Sequence, residues 1–248
     1  MKRILALTLL ALFCIAGAQA QQSGATNVAV AANFTEPAKE IAALFKQKTG
    51  YDAVLSFGAS GPFYTQITQD APFQVFLSAD ERRPKDAVDN GFGVADSRFT
   101  YAVGKLVLWS RSIDVTKGEE ALKAGAFNKL SIANPTAAPY GAAAIEAMKT
   151  LGVYATQEPK IVQGATIAQA FQFVDTGNAE LGFVALSQLA SVTGGSRWLV
   201  PDALYKPIRQ DAVLLKKGAE DAASKAFMAF LKGPEARAII KKFGYVVE

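Results

Sequence analysis

Four short stretches of this chain share one design. At Ala31-Ala32-Asn33, Gly58-Ala59-Ser60-Gly61, Ala138-Pro139-Tyr140-Gly141 and Ala165-Thr166-Ile167, a strand pattern gives way within a few residues to a helix pattern. The first N–H groups of a helix have no acceptor within it, and the aligned peptide dipoles place about half a positive charge there. Each junction therefore attracts anions. No Lys or Arg falls inside any of the four turns. Four helix starts around one point would supply roughly the charge that balances a dianion, with no ionised side chain involved.

The donors on offer are the Asn33 amide, the Ser60 and Tyr140 hydroxyls, and backbone N–H groups at Ala32 or Asn33, Ser60, Tyr140 and Ile167. A ring of donors suits a ligand that only accepts hydrogen bonds, meaning a fully deprotonated oxyanion. Phosphate near neutral pH keeps a proton and needs a carboxylate to receive it. Glu36 is the only acid close to these turns, and its place in the first helical turn suits an N-terminal role instead. The pattern favours sulfate-like or molybdate-like anions over phosphate. Each turn by itself also has an ordinary structural reading: Asn33 to Glu36 fits a capping box, and Ser60 and Thr166 fit N-caps. The case rests on the set of four.

Composition narrows the chemistry further. The chain has no histidine, which removes the commonest general base, the usual zinc ligand and the Ser-His and Cys-His nucleophile arrangements. Lys2 and Arg3 precede an apolar run from Ile4 to about Gly17, and Ala18-Gln19-Ala20 offers a cleavage site, so residues 1–20 read as a secretory signal peptide. The single cysteine, Cys14, lies in that segment. Cutting there takes Lys2 and Arg3 with it, leaving 24 basic residues against 22 acidic ones, a net +2 in place of +4. So even a charge balance gives nucleic acid no field to follow. The expected product is an exported soluble protein of the periplasm.

The elements that must position the four turns alternate between strand and helix. Val28 to Val30 leads to a helix over Pro37–Lys48 with Ala38, Ile41, Ala42 and Phe45 on one face and Gly50 as its cap. A strand over Asp52–Phe57 leads to a helix reaching Gln69, and Val75–Ser78 to a helix ending at Asn90. This rhythm predicts a parallel sheet with helices on both faces. Phe99–Trp109 is apolar and long for one strand, as expected of a strand passing between lobes. A second series follows: strand Leu130–Ala133, a helix after Tyr140, strand Lys160–Val162, helix Ile167–Asp175 and strand Leu181–Val184. The chain returns through Pro201–Leu215, and two closing helices, Glu220–Leu231 and Pro234–Phe243, pack against the first lobe. The expected division is lobe I over 21–103 and 207–248 and lobe II over 104–206. No internal repeat is visible. Glu81-Arg82-Arg83 and Lys241-Lys242 read as solvated helix faces, and Trp109 and Trp198 as core.

These residues resemble the periplasmic molybdate-binding proteins of ABC transporters. The likeness runs over the mature chain, through Ala31-Ala32-Asn33-Phe34-Thr35, Ser56-Phe57-Gly58-Ala59-Ser60-Gly61, Phe76-Leu77-Ser78-Ala79-Asp80, Asn134-Pro135 with Ala138-Pro139-Tyr140-Gly141, and Phe230-Leu231-Lys232-Gly233-Pro234-Glu235-Ala236. The resemblance implies an α/β, two-lobed type II periplasmic binding fold that closes on molybdate or tungstate. It implies Asn33, Ser60, Tyr140 and Ile167 as ligand contacts, with Ala32 a weaker fifth, and the membrane permease as partner. Molybdenum would be held as its oxyanion, with no direct metal ligand and no cofactor, by a monomer. Two departures stand out: many relatives carry serine in place of Asn33, and some use a tyrosine hydroxyl where this chain has Ala185. Tyr140 is the candidate to replace that donor.

Competing readings remain open at this stage. A sulfate receptor differs only in cavity size. A hydrolase with Ser60 as nucleophile lacks any visible base. An amino-acid or peptide receptor would call for an Arg and an Asp at the turns, and neither is there.

Overall fold

The computed structural model describes residues 24–248, so the expected leader over 1–20, with Cys14, lies outside the described residues. The chain builds, in order, β1 (Ala25–Ala31), α1 (Thr35–Thr49), β2 (Asp52–Gly58), α2 (Ser60–Thr68), β3 (Val75–Leu77), α3 (Arg82–Asp89), β4 (Phe99–Gly104), β5 (Leu106–Ser110), α4 (Gly118–Ala124), β6 (Leu130–Ala133), α5 (Pro139–Thr150), α6 (Tyr154–Gln157), β7 (Ile161–Gly164), α7 (Ile167–Asp175), β8 (Leu181–Ala185), β9 (Ser196–Leu199), β10 (Ile208–Leu214), α8 (Ala222–Lys232) and α9 (Pro234–Lys242). Short 3-10 turns fill several joints, including Ala32–Phe34 just before α1.

Two five-stranded sheets result, β2-β1-β3-β10-β4 and β7-β6-β8-β5-β9. In the first, β1 pairs parallel with β2 and β3, while β10 runs antiparallel to β3 and β4. The second repeats the scheme: β6 is parallel to β7 and β8, and β5 is antiparallel to β8 and β9. The expectation of a parallel sheet is thus corrected to a mixed one. The strand that crosses from one lobe to the other enters its new sheet from the opposite direction, and each lobe acquires one antiparallel strand that way. The two sheets share a strand order although no repeat shows in the sequence. Layer packing and right-handed crossovers constrain topology while leaving residue identity free.

Phe99–Trp109 is two strands, not one. β4 ends at Gly104 in the first sheet and β5 starts at Leu106 in the second, with Lys105 between them. The return passage lies between Leu199 and Ile208. α4 and β9 carry no periodic signal strong enough to have been anticipated.

The central strands of both sheets are buried on both faces, which explains their near-continuous apolar runs, while the outer strands β2, β7 and β9 keep exposed residues. Alternation is still legible: in β5, Leu106 and Leu108 join one core cluster and Val107 and Trp109 another. In the first lobe α1, α8 and α9 cover one face through Ile41, Phe45, Phe227 and Ile240, and Phe63 and Ile67 of α2 with Ala87 of α3 cover the other. Ala31, Ala32, Ala59 and Ala79 of the first lobe belong to the same cluster as Leu106, Tyr140 and Ile167 of the second. The lobes therefore meet directly at the strand ends. Trp109 is core as expected, and Trp198, partly buried, packs against the cluster on the other face that holds Leu106 and Leu108. No helix among the described residues is long and apolar enough to cross a membrane.

Candidate functional site

Strand ends and helix starts converge where the lobes touch. One cavity is lined by Ala31, Ala32, Asn33, Gly58, Ala59, Ser60, Ala79, Ala138, Pro139, Tyr140 and Ile167. All five residues singled out from sequence are in that lining, two turns from each lobe. The signal sequence reasoning missed is Ala79, just beyond β3, a strand end like the others. The cavity measures about 10 Å³, against about 770 Å³ for the open groove outside it. The smaller volume is about the room of a single water, so the seam as it stands is far tighter than the clefts of several hundred Å³ that drug-sized organic ligands occupy. No Asp, Glu, Lys or Arg lines it.

The donors differ in kind from turn to turn. Ser60 is the first residue of α2, not its cap, which is Ala59. Its Oγ accepts the Ala79 N–H at 2.9 Å, leaving the hydroxyl hydrogen to give away. The N–H groups of Ser60, Tyr140 and Ile167 open α2, α5 and α7 and have no protein acceptor among the described residues. Thr166 does behave as an N-cap, accepting from the Gln169 N–H at 3.1 Å, so its hydroxyl serves the helix. The capping box read at Asn33–Glu36 does not form: Asn33 sits inside the 3-10 turn.

Asn33 Nδ2 donates to Gln210 Oε1 at 2.8 Å and to Tyr245 Oη at 2.9 Å, so in this arrangement both amide hydrogens are taken by protein partners. Its carbonyl accepts from the hydroxyls of Ser187 and Tyr245, each at 2.8 Å. Tyr140 Oη accepts from Gln210 Nε2 at 3.2 Å, which leaves its own hydrogen to donate. Ala185 is buried at the end of β8, and its N–H goes to Gln188 Oε1 at 2.9 Å. Burial drives the Tyr140 and Tyr101 hydroxyls well above the ordinary tyrosine range and Tyr245 to about 12. All three act as neutral groups throughout the physiological range.

The polar layer behind the cavity, Tyr101, Ser187, Gln210 and Tyr245, went unread in the sequence. Gln210 did leave a signal: it and Asp211 are polar in the middle of an apolar strand, and both are fully buried. Asp211 is matched by Arg98 and Thr100.

Close approach fixes the turns. A Cβ on Gly141 would sit 2.1 Å from the Ala133 carbonyl oxygen, and one on Gly104 2.0 Å from Tyr140 Oη. Only glycine lets α5 start against the end of β6 and lets β4 pass the tyrosine. Two further bonds close the seam: Gly61 N–H to the Ala137 carbonyl at 2.9 Å, and Arg83 Nη2 to the Thr136 carbonyl at 2.9 Å. Arg83 also pairs with Asp80 and is only 7 % exposed. It is a buried strap between lobes, correcting its reading as part of a solvated face, while the neighbouring Arg82 stays exposed.

Comparison with known proteins identifies the family. The family model described as bacterial extracellular solute-binding protein matches residues 26–246. The chain belongs to this family. A relative from Rhodobacter capsulatus, the molybdate-binding protein ModA, is 61% identical over 226 residues, covering 91% of this chain and 90% of the relative. The solved periplasmic molybdate-binding protein of Azotobacter vinelandii superposes with a TM-score of 0.86 at 41% identity, covering 90% of this chain and 99% of that one. The sulfate-binding protein SubI of Mycobacterium tuberculosis, at a TM-score of 0.74 and 11% identity, shares the fold. The two-lobed periplasmic binding fold expected from the sequence is the fold of this family.

Proposed function

We propose that this chain is the periplasmic receptor of an ABC transporter, closing its two lobes on molybdate or tungstate and handing the anion to the membrane permease. The single observation that carries this reading is the cavity at the seam, where helix starts from both lobes meet with no ionised side chain in the lining. A desolvated dianion is stabilised there by peptide dipoles, and contacts from both lobes exist together only when they are closed. Binding therefore shifts the population toward the closed state. Ala32, Asn33, Ser60, Tyr140 and Ile167 form the contact set, through backbone N–H groups and the Ser60 hydroxyl.

The magnitudes permit tight binding. About six charge-assisted hydrogen bonds at roughly 1.5–3 kcal/mol each sum to about 9–18 kcal/mol, against an association cost of about 4–15 kcal/mol, so a net gain of several kcal/mol is within range. The absence of a carboxylate from the lining disfavours an anion that must keep a proton. A hydrolytic role for Ser60 finds no support in the lining, since its hydroxyl faces the Ala79 N–H and no base.

Calorimetry on the mature protein with molybdate, tungstate, sulfate and phosphate is the test. Molybdate and tungstate should bind one per chain and saturate, with phosphate far weaker. Silence toward the first two anions overturns the ligand assignment, and sulfate in their place moves the protein to the sulfate-receptor reading.

A further inference from the structure

Gln210 occupies an unusual position. It lies on β10, fully buried, and bonds one cavity residue from each lobe: Asn33 through Oε1 and Tyr140 through Nε2. Its Oε1 also lies 3.2 Å from the Tyr101 hydroxyl, which has a second acceptor in the Ser78 carbonyl at 3.1 Å. With Asn33 giving both Nδ2 hydrogens to Gln210 and Tyr245, its Oδ1 accepts no hydrogen bond from the described residues. Asn33 lines the cavity, and an acceptor presented there would be the wrong group for a fully deprotonated oxyanion and the right one for an anion that carries a proton.

The same atoms support a reversed pattern. If the Asn33 and Gln210 amides turn over together, Gln210 Nε2 donates to Asn33 Oδ1 and to Tyr101 Oη, while Tyr101 donates to the Ser78 carbonyl. Gln210 Oε1 then accepts from Tyr140, and Tyr245 donates to Asn33 Oδ1. Every group keeps a partner, and Asn33 Nδ2 is released to the cavity. Amide orientations are interchangeable in this way at little cost in heavy-atom position.

Resting on the receptor reading above, we propose that Gln210 is a positioning and specificity-determining residue: by turning over with Asn33 it decides whether the cavity wall offers an acceptor or a donor, and the donor form is the one that takes molybdate. Gln210 touches no ligand and acts through Asn33 and Tyr140.

Gln210→Glu removes the one atom the reversal needs. A carboxylate only accepts, so it holds Asn33 Nδ2 turned inward and leaves Oδ1 facing the anion. The titratable groups bonded to position 210 are Tyr101 on β4 and Tyr140 on α5, with Tyr245 of the C-terminal segment one step away on Asn33, all neutral below about pH 9 given their upward shifts. Asp211 beside it is engaged by Arg98 and Thr100.

Titrations of wild type, Gln210→Glu and Gln210→Met with molybdate and with inorganic phosphate test this, alongside melting temperatures. The glutamate variant should lose about 100-fold in molybdate affinity at about pH 8, with a smaller loss for phosphate, and recover part of it toward about pH 6 as the buried carboxyl takes up a proton and can donate. The methionine variant should lose about 10-fold with no pH dependence. In the wild-type protein, the side-chain amide NMR signals of both Asn33 and Gln210 should shift when molybdate is added. A purely structural role would lower the melting temperature and leave the molybdate-to-phosphate ratio and its pH profile unchanged; that outcome, or a Gln210 amide signal indifferent to molybdate, overturns the inference. Should wild type bind no oxyanion at all, the receptor reading falls first and this inference with it.

Discussion

Two regions lie side by side on the seam between the lobes and solve opposite problems. The inner cavity has no ionised residue in its lining. The groove outside it is lined by Asp80, Glu81, Arg82, Arg83, Lys85 and others, with Arg98 and Arg209 close by. Nearly every cation there has an anionic partner: Arg83 with Asp80, Arg98 with Asp211, Arg209 with Glu81 and Glu248. The comparison teaches that this protein separates two kinds of electrostatics. Full charges are matched against each other, Arg83 and Asp211 in buried pairs and Arg209 in exposed ones that contribute little. The anion site is left to oriented peptide dipoles, which need no countercharge and are not neutralised by salt bridges of their own. A lysine in the cavity would hold any anion; dipoles at fixed positions select by shape and by the lack of protons on the guest.

The sharpest way to break this contrast is at the inner wall. Gly141→Ala places a methyl group 2.1 Å from the Ala133 carbonyl oxygen, forcing α5 away from β6. Overpacking of this kind costs about 1–3 kcal/mol of stability; molybdate binding should fall below detection by calorimetry because the Tyr140 N–H moves with the helix. Ser60→Ala comes next. It removes a hydroxyl donor and the acceptor of the Ala79 N–H, and the dissociation constant should rise about 10- to 100-fold. Arg83→Met cuts the strap to Thr136 without entering the cavity, so a rise of only about 5-fold is expected. Arg82→Ala, on the exposed part of the groove, should stay within about 2-fold. A larger effect from Arg82 than from Ser60 would mean that the groove, not the cavity, does the binding.

Two conditions sharpen the contrast further. Raising the ionic strength from about 0.05 to about 0.5 M should change affinity by less than about 3-fold, since the screening that weakens exposed charge pairs has little purchase on buried dipoles. For pH, the sign follows from the tyrosines. Tyr245 titrates near 12 in the folded chain and near 10 when unfolded. Between these values the unfolded state loses a proton that the folded state keeps, so stability should be flat below about pH 10 and fall from there to about pH 12. Chemical denaturation at stepped pH measures it.

Much of this was legible in the sequence for physical reasons. Strand-to-helix junctions are local: a short apolar run, small residues and a helix start are adjacent in the chain, so Asn33, Ser60, Tyr140 and Ile167 could be found without coordinates. The helix of α7, bounded by Thr166 and closed near Asp175, was legible by the same local logic. What escaped is long-range. Gln210 meets Asn33 across 177 positions and Tyr245 meets it across 212, and no local pattern encodes such pairings. The use of each polar atom escaped as well. Asn33 and Ser60 looked like caps because their residue types serve caps, yet one supports a polar layer and the other a neighbouring turn. Arg83 looked solvated because two charged residues precede it, and only the approach of Thr136 from the other lobe buries it.

The most direct test is a crystal structure of the protein grown with molybdate, with the anomalous signal of molybdenum used to place the metal. A single peak inside the cavity, its oxygens within hydrogen-bond distance of the Ser60, Tyr140 and Ile167 N–H groups, is the result expected of binding by neutral dipoles. A peak in the outer groove against Arg82, Lys85 or Arg209 would contradict it.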